Sequence, residues 1–461
     1  MENRALLWLA SYLVRQGFRV KVFYLEGDFK DVIKRAMEQY RPKYAVASCK
    51  WYTSLYGAVL VAEEIRRIDK SVKIIAGGHT AAYFDKELLQ NSEFDIIIRG
   101  DGEIPLANIL KNKAPVNCTI KQCGHIRRYK LGYVQGEKDL SGYRLVDPEM
   151  ILEDAKHILG NINFVWTGKG CKRDCFYCGG ALKMQNKLFG RRGLIYRPIR
   201  DVLADIATLS RYSKYIMFDF SCPPHADSYY LRLFKKVPKQ RLNCRFYHWG
   251  MPSEEIISQI SKTFIISYLH LDTSTLSERL RISLSKRKLL KSPFRNKELE
   301  EIISYCNSKG NIRIVLENIS GLPGERNMDV RRHIDFSLYL AKKYPSIENI
   351  FYQPLSIEPG SMLQRQPLRL KMCSFRKNFN DFINFGRHSF YSKVAYPFSG
   401  FFDTRNYQNA IGHPYGVYEH GLDRKSSYRR TTKFDKETGK ELLANCFVNQ
   451  VYAKHKKDII I

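Results

Sequence analysis

The chain has 461 residues, 44% of them hydrophobic and 13% aromatic, and 76 Lys and Arg against 46 Asp and Glu give a formal charge of +30. This length suits about three domains with a sizeable core, and the composition is that of a globular, aromatic-rich protein. No apolar run is long enough to span a bilayer, nothing reads as a signal peptide, and eleven scattered cysteines suit a reducing compartment better than a disulfide framework, so a cytoplasmic protein is expected.

An excess of Lys and Arg attracts nucleic acid, anionic membrane or acidic substrates. The basic residues are spread along the chain, with runs at 286–297 and 424–433 that match no RNA-binding module. Nucleic acid is therefore the less favoured partner.

Residues 1–110 alternate helical and strand-like patterns. Helices are predicted at 5–16, 29–39, 55–68 and 103–110, and strands at 18–24, 44–49, 72–76 and 94–99. Short apolar strands between amphipathic helices imply a parallel sheet covered on both faces, a Rossmann-like or flavodoxin-like α/β domain. The chain opens on a helix, so either the sheet is one strand short or its start lies upstream. Ligands of such sheets bind in the turns at the carboxyl ends of the strands. Those turns are SCKWYTS (48–54), AGGHTAAY (76–83) and RGDGEIP (99–105), where Gly77, Gly78, Gly100 and Gly102 let backbone approach a bulky ligand. Residues 111–160 read as irregular, with 136–160 as a linker; Cys118 and Cys123 have no second pair and read as ordinary thiols.

In WTGKGCKRDCFYCGG (166–180), Cys171, Cys175 and Cys178 stand in a C-x-x-x-C-x-x-C arrangement. Three thiolates this close can ligate three irons of a 4Fe-4S cluster and leave the fourth open to a ligand. A zinc site would want a fourth Cys or His nearby, and none follows within the next thirty residues. From 161 onward the α/β alternation resumes, with a strand to Thr167, a helix at 198–212 and strands at 215–220, 245–249, 264–271, 312–318 and 350–355. Six such units form a partial (β/α) barrel with catalytic groups at the strand C-termini.

The cysteine spacing closely resembles that of the radical S-adenosylmethionine enzymes. In that family the open iron binds the amino and carboxylate groups of S-adenosylmethionine, and reduction cleaves it to a 5'-deoxyadenosyl radical. Further turns fit the same family: HLDTSTLSERL (270–280) stands where it has G-x-E-S, with Asp272 and Thr273 in place of Glu and Ser; SGLPGE (320–325) matches G-L-P-G-E; and PLSIEPGS (354–361) matches P-x-x-P-G-T with Glu358 intruding. The resemblance implies that Tyr177, Gly179, Asp272, Thr273, Gly321 and Pro323 bind S-adenosylmethionine. Asp219, Cys222 and His225 end a barrel strand and are candidates for substrate contact or proton transfer, with a core or surface role as the alternative.

The N-terminal pattern resembles the cobalamin-binding domain that precedes the radical domain in cobalamin-dependent members. GGHTA is similar to their GG-x-H-x-T turn, with His79 one place early, and GDGE to their GEGE turn. That implies a cobalamin site at Ser48, Thr53, Ser54, Gly77, Gly78, His79, Gly102 and Glu103, with a cofactor-free α/β module as the alternative. A D-x-H-x-x-G motif is absent, so no protein imidazole below cobalt is implied.

The expected organisation is a Rossmann-like cobalamin-binding domain (1–135), a linker (136–160), a partial (β/α)6 radical barrel (161–370) and an aromatic, basic C-terminal region (371–461) capping the barrel mouth. The resemblance implies methyl transfer to an unactivated carbon of a peptide, lipid or natural product, using a 4Fe-4S cluster, S-adenosylmethionine and cobalamin, with flavodoxin or ferredoxin as reductant. A radical cyclase, oxidase or rearranging enzyme, an RNA-modifying enzyme and a non-catalytic scaffold remain the other readings.

Overall fold

The computed structural model describes residues 5–391 and 401–403, apart from positions 24, 26–28, 137, 154–162, 219, 221–225, 291–293 and 375. Asp219, Cys222, His225 and most of the C-terminal region lie outside the described residues.

Strands β1 (Tyr44–Ser48), β2 (Lys73–Gly77) and β3 (Ile96–Ile98) are parallel, and β4 (Cys118–Gln122) and β5 (His125–Arg128) extend the same sheet antiparallel in the order β1-β2-β3-β4-β5. Ile74, Ile75, Ala76 and Ile96 to Ile98 are buried, as the central strands of a doubly covered sheet must be. The β4–β5 hairpin falls in the stretch that reads as irregular. Its turn is Cys123-Gly124, both with positive φ (48° and 79°), which is the backbone of a two-residue hairpin turn made with an unusual first residue.

The strand predicted at 18–24 does not form. Val22 instead makes one parallel bridge with Leu152, its N–H on the Ile151 carbonyl at 2.7 Å and its own carbonyl accepting from Glu153 N at 3.0 Å. Phe18, Val20 and Val22 have the period of a strand, but the sheet offers them no neighbour, and β1 stands at its edge with Val46 exposed. The first helix, Ala5–Arg15, ties the two halves together. Leu7 and Trp8 enter the barrel core while Leu13 packs with Ile75 and Ile96, and Trp8 Nε1 donates to the buried Asp205 carboxylate at 2.9 Å.

An antiparallel pair, β6 (Gly168–Gly170) and β7 (Leu194–Tyr196), brackets the cysteine loop and the helix Leu182–Phe189. Then follow β8 (Tyr215–Phe218), β9 (Asn243–His248), β10 (Ser267–Ser274), β11 (Ile312–Ser320) and β12 (Ile347–Pro354), all parallel in sequential order. Residues 163–165 run beside β8, with Val165 N on Met217 O at 2.8 Å and Met217 N on Asn163 O at 2.7 Å, and supply the sixth position of the partial barrel. Alternation sorts the two faces. Ile216, Phe218, Cys244, Phe246, Leu269, Leu271, Ile314 and Leu316 pack into the helical layer, which leaves Met217, Arg245, Tyr247, His270 and Glu317 on the other, inner face. Helices Glu254–Thr263 and Glu278–Lys286 start at Ser253 and Ser277, whose side chains accept from the amides of Ile256 and Leu280.

β13 (Met372–Ser374) pairs with β14 (Phe401–Asp403). The helix Phe379–Tyr391 lies on the N-terminal domain: Phe382 meets Tyr52 at 5.7 Å and Phe84 at 5.5 Å between ring centres.

Candidate functional site

Cys171, Cys175 and Cys178 lie on the loop between β6 and the helix Leu182–Phe189, all partly exposed and none in a disulfide. The loop is held by its backbone: Cys178 N donates to Cys175 O (3.1 Å), Leu182 N to Arg173 O (2.8 Å), and Leu363 N to the carbonyl of the buried Phe176 (2.9 Å). Arg173 N points at Cys171 Sγ at 3.3 Å, a contact that favours the thiolate. Gly168 and Gly170 serve the hairpin rather than the sulfurs. Gly170 has φ +95°, and a Cβ there would stand 2.0 Å from the Gly193 carbonyl. Among the described residues no three His, Cys, Asp or Glu side chains converge on a point that would hold a single metal ion.

Three turns meet beside Cys178. Gly179 N donates to Glu358 Oε2 at 2.6 Å, and the Glu358 carboxyl also meets the Cys178 side chain. Shielding from water raises the Glu358 pKa, and the Gly179 hydrogen bond works against that rise. His79 Nε2 lies 3.1 Å from Pro359 O, and a Cβ on Gly179 would come within 2.7 Å of Nε2 and 2.5 Å of that carbonyl. Only glycine fits there. His79 Nδ1 is buried without a hydrogen bond, and burial lowers the His79 pKa. Tyr177 meets Cys175 with its hydroxyl; shielding from water, then the nearby Cys175 and Cys178 charges, raise its pKa well above the usual phenol value.

In the N-terminal domain the first two turns are packed together. Cys49 N donates to Gly77 O at 2.7 Å and Ala81 N to Cys49 O at 3.2 Å, and Gly78, with φ +105°, lies where a Cβ would strike the backbone of Cys49 and Lys50. Ser48 ends β1, and Thr53 and Ser54 sit in the short helical turn that follows, beside the exposed Trp51. Tyr52 reaches across to Ser356 of the sixth barrel turn at 2.5 Å.

The third turn faces the cysteine hairpin. Lys169, two residues before Cys171, places Nζ 2.7 Å from Glu103 Oε1, 3.1 Å from Asp101 Oδ1 and 2.6 Å from Gln135 Oε1. Arg191 reaches Asp101 Oδ2 at 2.5 Å, Tyr143 donates to Glu103 Oε1 at 2.8 Å, and Glu103 Oε2 is buried without a hydrogen bond. Two cations of the cluster hairpin thus meet two carboxylates of the GDGE turn, and Gly102 opens the helix Glu103–Leu110 beneath them.

On the barrel, Asp272 lies at the carboxyl end of β10 and accepts from Ser274 Oγ at 3.1 Å, beside a bulge. Thr273 is buried, its hydroxyl 2.6 Å from Asn318 Oδ1, so it faces β11 and not Asp272's side. Gly321, with φ +83°, donates its amide to Glu325 Oε2 at 2.5 Å and closes the GLPGE turn around a buried Pro323. Sequence reasoning did not single out Lys169, Asp101 and Arg191, whose ion pairs join distant positions. It noted Glu358 only as a departure from the turn pattern.

Residues 1–110 match the B12 binding domain family. The chain is 22% identical over 183 residues to the hopanoid C-3 methylase of Methylococcus capsulatus, which is 39% of this chain and 36% of that protein, so it spans about a third of the relative it matches. Its structure is similar to that of the radical S-adenosylmethionine methyltransferase TsrM from Kitasatospora setae with cobalamin and a 4Fe-4S cluster bound, at TM-score 0.64 and 16% identity over 79% of this chain and 71% of that one. With TsrM holding tryptophan substrate and the analogue aza-SAM the TM-score is 0.65, again at 16% identity, over 82% and 77% of the two chains. The chain thus shares its overall fold with these solved structures, behind an N-terminal stretch that matches the B12 binding domain family. The α/β architecture and the family resemblance read from the sequence both hold. No helix among the described residues is long and apolar enough to cross a membrane.

Proposed function

We propose that the chain is a cobalamin-dependent radical S-adenosylmethionine methyltransferase acting on an unactivated carbon. The observation that carries this reading is the joint at Gly179, where the cysteine loop, the second turn of the B12-binding domain at His79 and the sixth barrel turn at Glu358 are packed within hydrogen-bonding distance. A methyl carrier and a radical source must share one substrate, and a sealed contact between their two domains is what that sharing requires.

The residues fit the groups. Three free thiols on one loop, with an amide on Cys171 Sγ, suit a 4Fe-4S cluster with one open iron, and Tyr177 and Gly179 flank it. The unpartnered Nδ1 of His79 and the exposed Trp51 belong to the turns after β2 and β1, and in this reading those turns, with Ser48, Thr53, Ser54, Gly77, Gly78 and Gly102, hold a large cofactor with amide side chains. When bound, the cluster supplies reductive cleavage of S-adenosylmethionine and cobalamin supplies a transferable methyl. This chain's part is to hold the two at fixed separation, through Lys169 and Arg191 on the GDGE turn, and to keep water from the joint through Gly179 and Glu358. In this reading Asp272, Gly321 and Pro323 hold the adenosyl portion at the barrel mouth, and Asp219, Cys222 and His225 are candidates for substrate contact.

A cytoplasmic location and a flavodoxin or ferredoxin as electron donor belong to the same reading. The relatives are named for different substrates, a hopanoid and tryptophan, so neither is carried over. The test is anaerobic production with cobalamin, followed by absorption spectra before and after S-adenosylmethionine and reductant are added. A reduced cobalamin spectrum that shifts to that of methylcobalamin once S-adenosylmethionine is added supports methyl transfer. Formation of 5'-deoxyadenosine by a protein that retains no cobalt contradicts it.

A further inference from the structure

The inner face of the barrel carries a stack of four polar groups that the cluster and the methyl carrier do not use. Register sets Tyr247 of β9 beside His270 of β10, with ring centres 4.2 Å apart and planes at 34°. His270 Nδ1 lies 2.8 Å from Glu317 Oε1 on β11. At the other end Arg245, two residues before Tyr247 and on the same face, holds its guanidinium carbon 4.7 Å from the Tyr247 ring centre and donates to the Tyr247 hydroxyl. Met217 and Val315, the register neighbours of Arg245 and His270, supply apolar walls.

The opposite charges on this face do not pair directly with one another among the described residues. Glu317 is committed to His270, and a carboxylate at Nδ1 requires that nitrogen to carry the proton, which leaves Nε2 as an acceptor. Burial first, with the Arg245 charge adding, lowers the His270 pKa against the upward pull of the Glu317 hydrogen bond. Arg245 has no carboxylate partner among the described residues, and its Nε is buried without a hydrogen bond. A guanidinium partly withdrawn from water and lacking a counter-ion among the described residues favours a bound anion, and its planar fork matches a carboxylate. An apolar polycycle against the same face would leave both Arg245 and His270 Nε2 unmet.

We propose that Arg245, Tyr247, His270 and Glu317 form a substrate subsite for a carboxylate-bearing molecule, the carboxylate on Arg245 and an N–H or O–H of the same molecule on His270 Nε2. This rests on the barrel being the substrate chamber of the proposed methyltransferase, and it sets a lipid hydrocarbon aside as substrate.

The test is calorimetric titration of the anaerobically reconstituted protein with benzoate and with benzamide, its uncharged counterpart, in saturating S-adenosylhomocysteine so that the cofactor's own carboxylate site is filled. Benzoate binds the wild type about tenfold or more tightly than benzamide. Arg245→Gln abolishes that preference while iron content and Tm stay unchanged. Glu317→Gln, which keeps Arg245 and removes a negative charge from the same face, tightens benzoate binding severalfold and leaves benzamide binding unchanged, and it decides the matter should Arg245→Gln not fold. Equal binding of benzoate and benzamide by the wild type, equal benzoate binding by wild type and Arg245→Gln, or equal or weaker benzoate binding by Glu317→Gln overturns the proposal. Calorimetry reads binding without turnover, so such a result leaves the radical methyl transfer standing, and a protein without cobalamin leaves this subsite standing.

Discussion

The amide of Gly179 donates to the carboxylate of Glu358 at 2.6 Å, joining the residue after the last cluster cysteine to the sixth barrel turn. Together with Leu363 N on the Phe176 carbonyl and Phe176 N on the Leu289 carbonyl, this contact fixes how the cysteine loop faces the barrel mouth.

Replacing Glu358 with Ala leaves a buried amide without an acceptor and is expected to cost about 1–3 kcal/mol. Glu358→Gln keeps an oxygen for Gly179 and is expected to cost less. Urea denaturation of the anaerobic protein checks the order, and iron content per chain reports whether the loop still holds its cluster.

Gly179→Ala is predicted to be worse than its size suggests. The new methyl stands 2.5 Å from a backbone carbonyl and 2.7 Å from His79 Nε2, so the joint must open, at a cost of about 1–3 kcal/mol. Lower Tm together with weaker cobalamin retention is the expected pair of results. Loss of iron alone points to a purely local effect.

Lys169→Met removes the cation shared by Asp101, Glu103 and Gln135 and leaves buried carboxylates undercompensated, for about 3 kcal/mol. Adding Glu103→Gln is expected to recover part of that loss, because the second change removes the charge the first one stranded. A double-mutant cycle in urea measures the coupling, expected at about 1–3 kcal/mol.

Much of this was legible in local pattern. The helix Leu55–Ile68, strands β1 to β3 and the barrel strands follow from apolar periodicity, and the cysteine triad from its spacing. The predicted strand at 18–24 failed for a non-local reason, since alternation tells which face a strand presents and not whether a neighbour is there to pair. The β4–β5 hairpin was hidden because Cys123 takes a positive φ that sequence pattern assigns to Asn or Gly. GDGE was visible as a turn, but its partner Lys169 lies 66 and 68 residues away, and an ion pair at that separation leaves no periodic trace.

Shielding from water pushes the Glu325 carboxyl up from 4.5 to about 7, against the pull of the Gly321 amide. The fold therefore holds a proton that the unfolded chain releases earlier. Stability from this group is full below about pH 4.5 and is lost as the pH rises to about 7. Glu325→Gln is expected to flatten that slope, raising Tm at about pH 8 and leaving it nearly unchanged at about pH 4. Tm against pH for the two proteins is the measurement, and parallel curves contradict the assignment.

The central claim, that one chain carries separate sites for cobalamin and for a three-cysteine cluster, is tested most directly by metal analysis of the wild type beside a variant with Cys171→Ala, Cys175→Ala and Cys178→Ala, both made anaerobically with cobalamin. The wild type is predicted to hold about four irons and equimolar cobalt, and the triple variant to lose its iron while keeping its cobalt. Iron that survives loss of the three cysteines, or a wild type that holds iron without cobalt, contradicts the claim.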